Sequence, residues 1–324
     1  MAIEPSKLKF YPLNQSPLYK LKSRRKLAAL FNITLKELES LANRPDNYRV
    51  FTIGKAANKP RQVEEPKPYI ERLHRRLFNL LRRIEPPAYL HSGIKGKSYI
   101  TNAQVHIGAE TLITLDIRKF FPSTMGWHVF EFFNEVLLCS SDVAGLLTKL
   151  STCNNHVPTG SCLSQVLAFY AHYHMFEEMN SYVRSSGLVM TCYVDDIAIS
   201  GNSANKSVLY DIRGMLKKRG LMSHPNKERV YKKGTPKEVT GSIVIKDELR
   251  LPNRKHKLIH DEIDALLLQD DNEEKLKQIN VTIGRAIAAN QSDSTMSSKV
   301  SALIQERNRI KKILSKSVPI SQSI

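Results

Sequence analysis

Several absences narrow what this chain can be. It has only four cysteines in 324 residues, Cys139, Cys153, Cys162 and Cys192, and no C-x-x-C pair among them. That argues against a zinc knuckle and against a disulfide framework, and predicts free thiols in a reducing cytoplasm. No run of about 18 apolar residues is present to span a bilayer. The opening Met1-Ala2-Ile3-Glu4-Pro5 carries no apolar signal segment. A cytoplasmic location without a membrane partner is the expectation. There is no internal repeat and no low-complexity tract. Acidic side chains are outnumbered, 31 against 49 basic ones, which leaves a net charge of +18.

An excess of that size is the footprint expected for a polyanionic partner. It is unevenly placed. Residues 1–108 hold 21 basic and 8 acidic side chains, residues 109–245 hold 14 and 12, and residues 246–324 hold 14 and 11. The first third thus carries +13 of the +18 and is the segment expected to touch phosphate. Apolar residues make up 41% of the chain, enough to bury a core in two or three lobes.

Periodicity outlines the elements. Residues 24–44 read as helical, with Thr34 and Glu37 in capping-box spacing. Tyr48–Ile53 alternates like a strand, residues 56–60 read as a turn, and Arg61–Val63 as the returning strand. After Pro66 and Pro68 a helix is expected with Ile70, Leu73, Leu77, Leu81 and Ile84 on one face. Arg72, Arg75, Arg76, Arg82 and Arg83 fill the other, a guanidinium row suited to a nucleic-acid backbone. Residues 111–117 are β-rich, and 127–150 and 163–184 read as helices. Residues 188–194 and 197–199 frame a hairpin, and a basic helix covers 206–219. Short strands follow in 239–251, and 258–316 reads as mostly helical.

The chemistry concentrates in Tyr193-Val194-Asp195-Asp196, at the hairpin tip, and in Asp116, at the end of the earlier strand. Two adjacent acids on a tip and one on a neighbouring strand suit a pair of Mg²⁺ ions about 3.5–4 Å apart, as in-line displacement at a nucleotide α-phosphate requires. The constellation points to a polynucleotide polymerase.

Several segments in the same order carry a resemblance to the reverse transcriptases, covering roughly residues 48–245. Leu115-Asp116-Ile117-Arg118-Lys119-Phe120-Phe121-Pro122-Ser123 resembles that family's first metal-binding motif. The resemblance implies that Asp116 binds both ions, that the Ile117 carbonyl binds one, and that Phe121 is the steric gate against a ribose 2′-OH. Phe120 is expected in the core. Val157-Pro158-Thr159-Gly160-Ser161-Cys162-Leu163-Ser164 resembles the Pro-Gln-Gly-x-x-x-Ser segment beneath the incoming nucleotide, with Thr159 standing where the pattern has glutamine. Gly160 would let the backbone approach closely. Asp195 and Asp196 complete the metal-binding set, with Mn²⁺ a substitute for Mg²⁺, and Asn226-Lys227 resembles the segment whose lysine protonates pyrophosphate. Lys59 and Arg61 resemble the fingers residues that clamp the triphosphate, a role that suits a point charge and a guanidinium fork.

A narrower resemblance, to retron reverse transcriptases, rests on Asn102-Ala103-Gln104-Val105-His106, on the preceding Gly93-Ile94-Lys95-Gly96-Lys97-Ser98, and on Val239-Thr240-Gly241. It implies an α/β right-hand polymerase whose antiparallel palm sheet packs on helices. The N-terminal helix and fingers are expected in 1–108, the palm in 109–245 and the helical thumb in 246–324. RNA contacts are expected at Asn102, His106, Thr240, Gly241, Arg72, Arg75 and Arg76. The terminal helix adds Arg309 and Lys312, opposite Val300, Leu303, Ile304, Ile310, Ile313 and Leu314. No RNase H domain is expected beside a thumb in the last 80 or so residues. Also implied are dNTP substrates, a cognate structured non-coding RNA copied into branched DNA from a guanosine 2′-OH, a separate effector protein, and a role against phage. The alternatives are a group II intron-like or diversity-generating reverse transcriptase, and a non-catalytic RNA-binding scaffold with a polymerase fold.

Overall fold

Local signals in the sequence become elements wherever burial supports them. In this computed structural model, residues 9–54 and 60–317 are described; Lys59 and most of the expected turn at 56–60 lie outside the described residues. Helix α1 spans Arg24–Leu30 and α2 spans Leu35–Asn43, where Thr34 and Glu37 form the expected capping box in both directions. Strands β1 (Tyr48–Ile53) and β2 (Arg61–Pro66) pair antiparallel, with Phe51 opposite Val63 and Ile53 opposite Arg61. Helix α3 (Pro68–Leu81) buries Ile70, Leu73, Leu77 and Leu81. It ends before Ile84, which is buried instead as a bridge partner of Tyr11.

Helix α4 covers Tyr99–Gln104, β3 Thr111–Asp116, and α5 the single turn Phe120–Ser123. The helix expected over 127–150 is divided. Helix α6 (Gly126–Glu131) runs into a π turn at Phe132–Val136, the chain reverses at Leu138 with φ +55°, and α7 restarts at Ser141–Ser151. The wider π turn accompanies burial of two consecutive rings, Phe132 and Phe133, with centroids 5.1 Å apart. The expected helix over 163–184 also divides, into α8 (Ser164–Ala171) and α9 (Tyr173–Ser185). At the break the buried His172 ring lies 3.2 Å from the Thr124 hydroxyl and packs at a tilt against Phe120 and His128.

Strands β4 (Val189–Tyr193) and β5 (Asp196–Gly201) form the expected hairpin, followed by α10 (Lys206–Lys218) and β6 (Arg229–Tyr231). They assemble with β3 into a four-stranded sheet of order β4-β5-β3-β6, in which β3 and β5 are buried along most of their length. Strands β7 (Lys237–Val239), β8 (Ser242–Ile245) and β9 (Glu248–Arg250) form a separate antiparallel sheet, and helices α11 (Asn253–Leu267), α12 (Asn272–Asn290) and α13 (Ser297–Ser317) complete the chain. The mixed α/β class, with an antiparallel sheet packed on helices, is as expected.

The described residues fall into two compact units, 9–98 with 111–230 and 99–110 with 231–317. The first has one large core that includes Phe132, Phe133, Phe176, Leu115 and Ile197. The second has smaller ones, with Leu266, Ile279, Ile283, Leu303 and Ile310 in the larger. Val300, Ile304 and Leu314 pack against that cluster, while Ile313 is exposed. No helix among the described residues is long and apolar enough to cross a membrane.

The first unit buries several neutral imidazoles. His74 sits between the Leu150 carbonyl (2.7 Å) and the Ser161 hydroxyl (2.6 Å), so Nε2 carries the proton and Nδ1 accepts. Burial pushes His74 and His128 down to about 4, and His172 well below its ordinary value. As pH falls below about 6.5 the unfolded chain takes up protons that the folded chain refuses, so stability is lost between about 6.5 and 4. Between pH 7 and pH 5 the buried imidazoles therefore pull the urea midpoint down, and His74→Gln, whose amide can keep both hydrogen bonds, is expected to gain on the parent over that interval. Equal pH slopes in the two proteins would contradict this account.

Candidate active site

Register places the acids. In the β3–β5 ladder Asp116 lies directly opposite Asp196, and the Ile117 N–H donates to the Asp195 carbonyl at 2.8 Å. Carboxylate oxygens of Asp116, Asp195 and Asp196 all lie within 4.8 Å of one another. The β4–β5 turn is only two residues long, Val194 and Asp195, between the paired Tyr193 and Asp196. Val194 adopts φ +60°, a conformation that two-residue hairpin turns demand and that a β-branched side chain resists. Its N–H donates to Ser92 Oγ at 3.0 Å, and its side chain packs against the core, so the surroundings hold the strained residue in place. Ser92 has no sequence signal for this duty.

A second loop reaches the same point. The His224 N–H donates to the Asp116 carbonyl at 2.8 Å, and the Lys227 N–H to the His224 carbonyl. This puts Lys227 Nζ 2.6 Å from Asp116 Oδ2. Glu228, next in the chain, is almost fully buried and accepts from Arg213 on α10 and from the Ser223 hydroxyl, which anchors the loop. Sequence reading singled out none of these three supports. The bridge between Ile117 and Ser223 uses the Asp116 carbonyl and the Arg118 N–H, leaving the Ile117 carbonyl outside that ladder.

Burial and crowding raise two of the three acids. Burial, then Asp195 and Asp116, push Asp196 up to about 7. Burial and Asp116 also raise Asp195, against the opposing pull of Lys227 and Arg61. The hydrogen bond to Asp116 raises Lys227. Oxygen donors gathered this closely, two of them with raised carboxyls, are suited to hard divalent cations, whose charge favours the deprotonated form.

The other expected residues fall around and away from this cluster. Arg61 opens β2 with an exposed side chain, and its charge is felt at Asp195. Phe120 is buried, while Phe121 is half-exposed beside it, with centroids 6.0 Å apart. Thr159 and Gly160 bind the edge of β2: the Thr159 hydroxyl donates to the Gln62 carbonyl, and the Gly160 N–H to the Glu64 carbonyl. On α3, Arg72 and Arg75 are exposed, the latter paired with Glu71, whereas Arg76 donates to the Leu30 carbonyl at 2.8 Å. Arg309 and Lys312 are exposed on α13.

Within the second unit, Asn102 and His106 are buried. Thr240 and Gly241 form the two-residue turn between β7 and β8, at φ +44° and +79°. The Thr240 hydroxyl donates to the Tyr99 carbonyl at 2.8 Å, and the Asn102 amide lies 3.4 Å from that hydroxyl. Two of the three short segments that carry the retron resemblance are therefore bonded to each other.

No protein-family model matches the chain. The retron Se72 reverse transcriptase of Salmonella heidelberg (strain 579083-10) is 31% identical over 225 residues, spanning 67% of this chain and 59% of that protein. The retron Ec86 reverse transcriptase of Escherichia coli is 26% identical over 224 residues, spanning 67% of this chain and 69% of that one. This chain is a relative of the retron reverse transcriptases. It matches less than two thirds of the Salmonella protein's length. Another Escherichia coli relative, the retron Ec48 reverse transcriptase, is 26% identical over 305 residues, spanning 86% of this chain and 74% of its own. Among solved structures, a foamy viral protease-reverse transcriptase in complex with double-stranded DNA aligns with a TM-score of 0.48 at 13% identity, covering 83% of this chain and 43% of that one.

In this retron relative the carboxylate cluster has a measurable stability signature. Asp196 is raised above its unfolded value, so its destabilising effect accumulates as pH rises from about 4 to about 7. Without divalent cations at pH 8, Asp196→Asn is expected to melt about 2–5 °C above the parent protein. The gap should narrow towards pH 5, where the parent's Asp196 takes up a proton, and Mg²⁺ at pH 8 should raise the parent more than the variant. A variant that melts lower at pH 8 would count against mutual repulsion.

Proposed function

We propose that this chain is the RNA-directed DNA polymerase of a retron, copying a cognate structured RNA into branched single-stranded DNA. The observation that carries the reading is the convergence of Asp116, Asp195 and Asp196 within 4.8 Å, with Lys227 on Asp116; the retron relatives support it.

Bound to these acids, two Mg²⁺ ions, or Mn²⁺ in their place, would activate the attacking hydroxyl and neutralise charge at the pyrophosphate. Asp116 would hold both ions, the Ile117 carbonyl would hold one, and Asp195 and Asp196 would supply further oxygens. Lys227 holds an ammonium proton beside the cluster for transfer to the departing pyrophosphate. Arg61, with Lys59, clamps the triphosphate, and the half-exposed Phe121 ring crowds a ribose 2′-OH. Residues 1–108 act as N-terminal helix and fingers, 109–245 as palm and 246–324 as thumb. Arg72, Arg75, Arg309 and Lys312 bind RNA phosphates, with Arg76 adding fixed charge. The segments around Asn102, His106, Thr240 and Gly241 shape the RNA-binding surface. Guanosine 2′-OH priming, a separate effector and a role in defence against phage belong to the same proposal.

The deciding measurement is made on nucleic acid that copurifies with the protein from its native locus, with and without ribonuclease and debranching enzyme. A short DNA released by debranching, and absent from Asp195→Asn, is the expected result. Unbranched RNA-templated DNA would move the protein to another reverse transcriptase lineage. RNA with no DNA, together with failure to extend an added primer-template, would leave an RNA-binding scaffold. On a supplied primer-template, Asp195→Asn should lower extension about 10²-fold or more. Phe121→Ala should narrow the preference for dNTPs over rNTPs by about tenfold or more, measured as the ratio of the two kcat/KM values.

A further inference from the structure

The outer edge of β2 is closed by a loop. On its other edge β2 pairs with β1 through Arg61, Val63 and Glu65, and Gln62 and Glu64 turn their backbone groups outward. The Thr159 hydroxyl bridges those two residues. It donates to the Gln62 carbonyl at 3.0 Å and accepts from the Glu64 N–H at 3.1 Å. The Gly160 N–H then donates to the Glu64 carbonyl at 3.1 Å. A Cβ on Gly160 would meet that carbonyl oxygen at 2.8 Å, so only glycine allows the approach.

The Glu64 side chain returns across the same junction. It is 4% exposed, and its carboxylate accepts from the Thr159 N–H at 3.3 Å and faces His156 Nε2 at 3.0 Å. A carboxylate taken out of water in this way must be held by donors from its surroundings. Here those donors come from the loop, so the strand and the loop are bonded in both directions. Three residues before Glu64 on the same strand stands Arg61, whose charge reaches Asp195.

We propose that Thr159 and Glu64 are positioning residues that lock β2 to the 156–160 loop and so fix Arg61 at the height where it receives the triphosphate of an incoming dNTP. Thr159 stands where the reverse transcriptase pattern has glutamine; its short hydroxyl is spent on the strand. The inference rests on the polymerase reading above, because it assigns Arg61 a triphosphate.

The test is steady-state extension of an RNA template from an annealed DNA primer, with dNTP titrated for the parent, Thr159→Val, Thr159→Ser, Glu64→Gln, Arg61→Ala and the Arg61→Ala/Thr159→Val double variant. Thr159→Val keeps the shape and loses both hydroxyl bonds. Its dNTP KM is expected to rise about tenfold while kcat changes less than about threefold. Glu64→Gln should shift KM in the same direction, and Thr159→Ser, which keeps the hydroxyl, should restore it. Because the lock acts through Arg61, Thr159→Val should add less than about twofold to the KM of Arg61→Ala. A KM unchanged in both Thr159→Val and Glu64→Gln, or full additivity with Arg61→Ala, would overturn the assignment while leaving the polymerase intact. A loss confined to kcat, or to melting temperature with KM unchanged, would mark the junction as merely structural and overturn it equally. Absence of extension by the parent protein would overturn the polymerase reading itself and the assignment with it.

Discussion

Two like charges set directly across an antiparallel ladder repel, and the β3–β5 register does this with Asp116 and Asp196. Much of the first unit's local architecture can be read as what holds that pair, with Asp195, in place. The sheet residues behind them, Ile113, Leu115, Ile197 and Ile199, are almost completely buried, so the ladder cannot slip by one residue without turning apolar side chains out of the core. At the open end, main-chain donors fix the backbone: Ile117 to Asp195 and His224 to Asp116. Lys227 supplies a countercharge, itself held by the Glu228 anchor. A site of this kind is destabilised alone and relieved by cations, which ties its occupancy to the stability of the sheet.

Backbone strain follows the same logic. Val194 at φ +60° and Thr240 at φ +44° are β-branched residues in a left-handed conformation, each costing on the order of 1–3 kcal/mol. Each is bonded to a residue far away in sequence, Val194 to Ser92 and Thr240 to Tyr99. In both turns the strained residue sits between paired strands. At Val194 the result is delivery of two carboxylates to one point. At Thr240 it is a hydroxyl aimed at the start of α4, with Lys255 donating to the neighbouring Gly241 carbonyl at 2.7 Å. The Val-Thr-Gly tripeptide therefore has a physical reading: glycine supplies the second positive φ of a tight turn, and threonine supplies the bond that joins the turn to α4.

What could be read from the sequence was local. The Thr34–Glu37 capping box, the β1–β2 pairing, the hairpin around Asp195 and the basic helix after it depend on spacing within a few residues, and all are present. The breaks at Leu138 and His172 were not legible, because periodicity reports which faces are apolar and not where a buried ring draws the backbone aside. The role of Thr159 was not legible either. Its partners lie 95 and 97 residues earlier on β2, and nothing in the residue type distinguishes a hydroxyl facing a nucleotide from one facing a strand edge. Likewise Asn102 and Thr240 carried a family resemblance, but their 138-residue separation concealed that they meet.

The charge of the first third shows how composition and structure answer different questions. Many of its guanidinium groups are engaged: Arg76 with the Leu30 carbonyl, Arg83 with the Lys9 carbonyl and the Tyr11 ring, and Arg82 with the Phe78 ring. Only the pairs with carboxylates, such as Arg75–Glu71 and Arg49–Glu65, cancel charge. A bond to a carbonyl or an aromatic face uses part of a five-donor fork and leaves the full positive charge in a fixed place. The arginines on and just after α3 thus form an ordered field more than a set of free donors. Attraction of a phosphate backbone depends on that field, through the counterions it displaces, whereas reading a base needs donors that are still available. Under the proposed function, such a field supplies salt-sensitive attraction to a phosphate backbone, and the choice of a particular RNA falls to shape or to residues elsewhere in the chain.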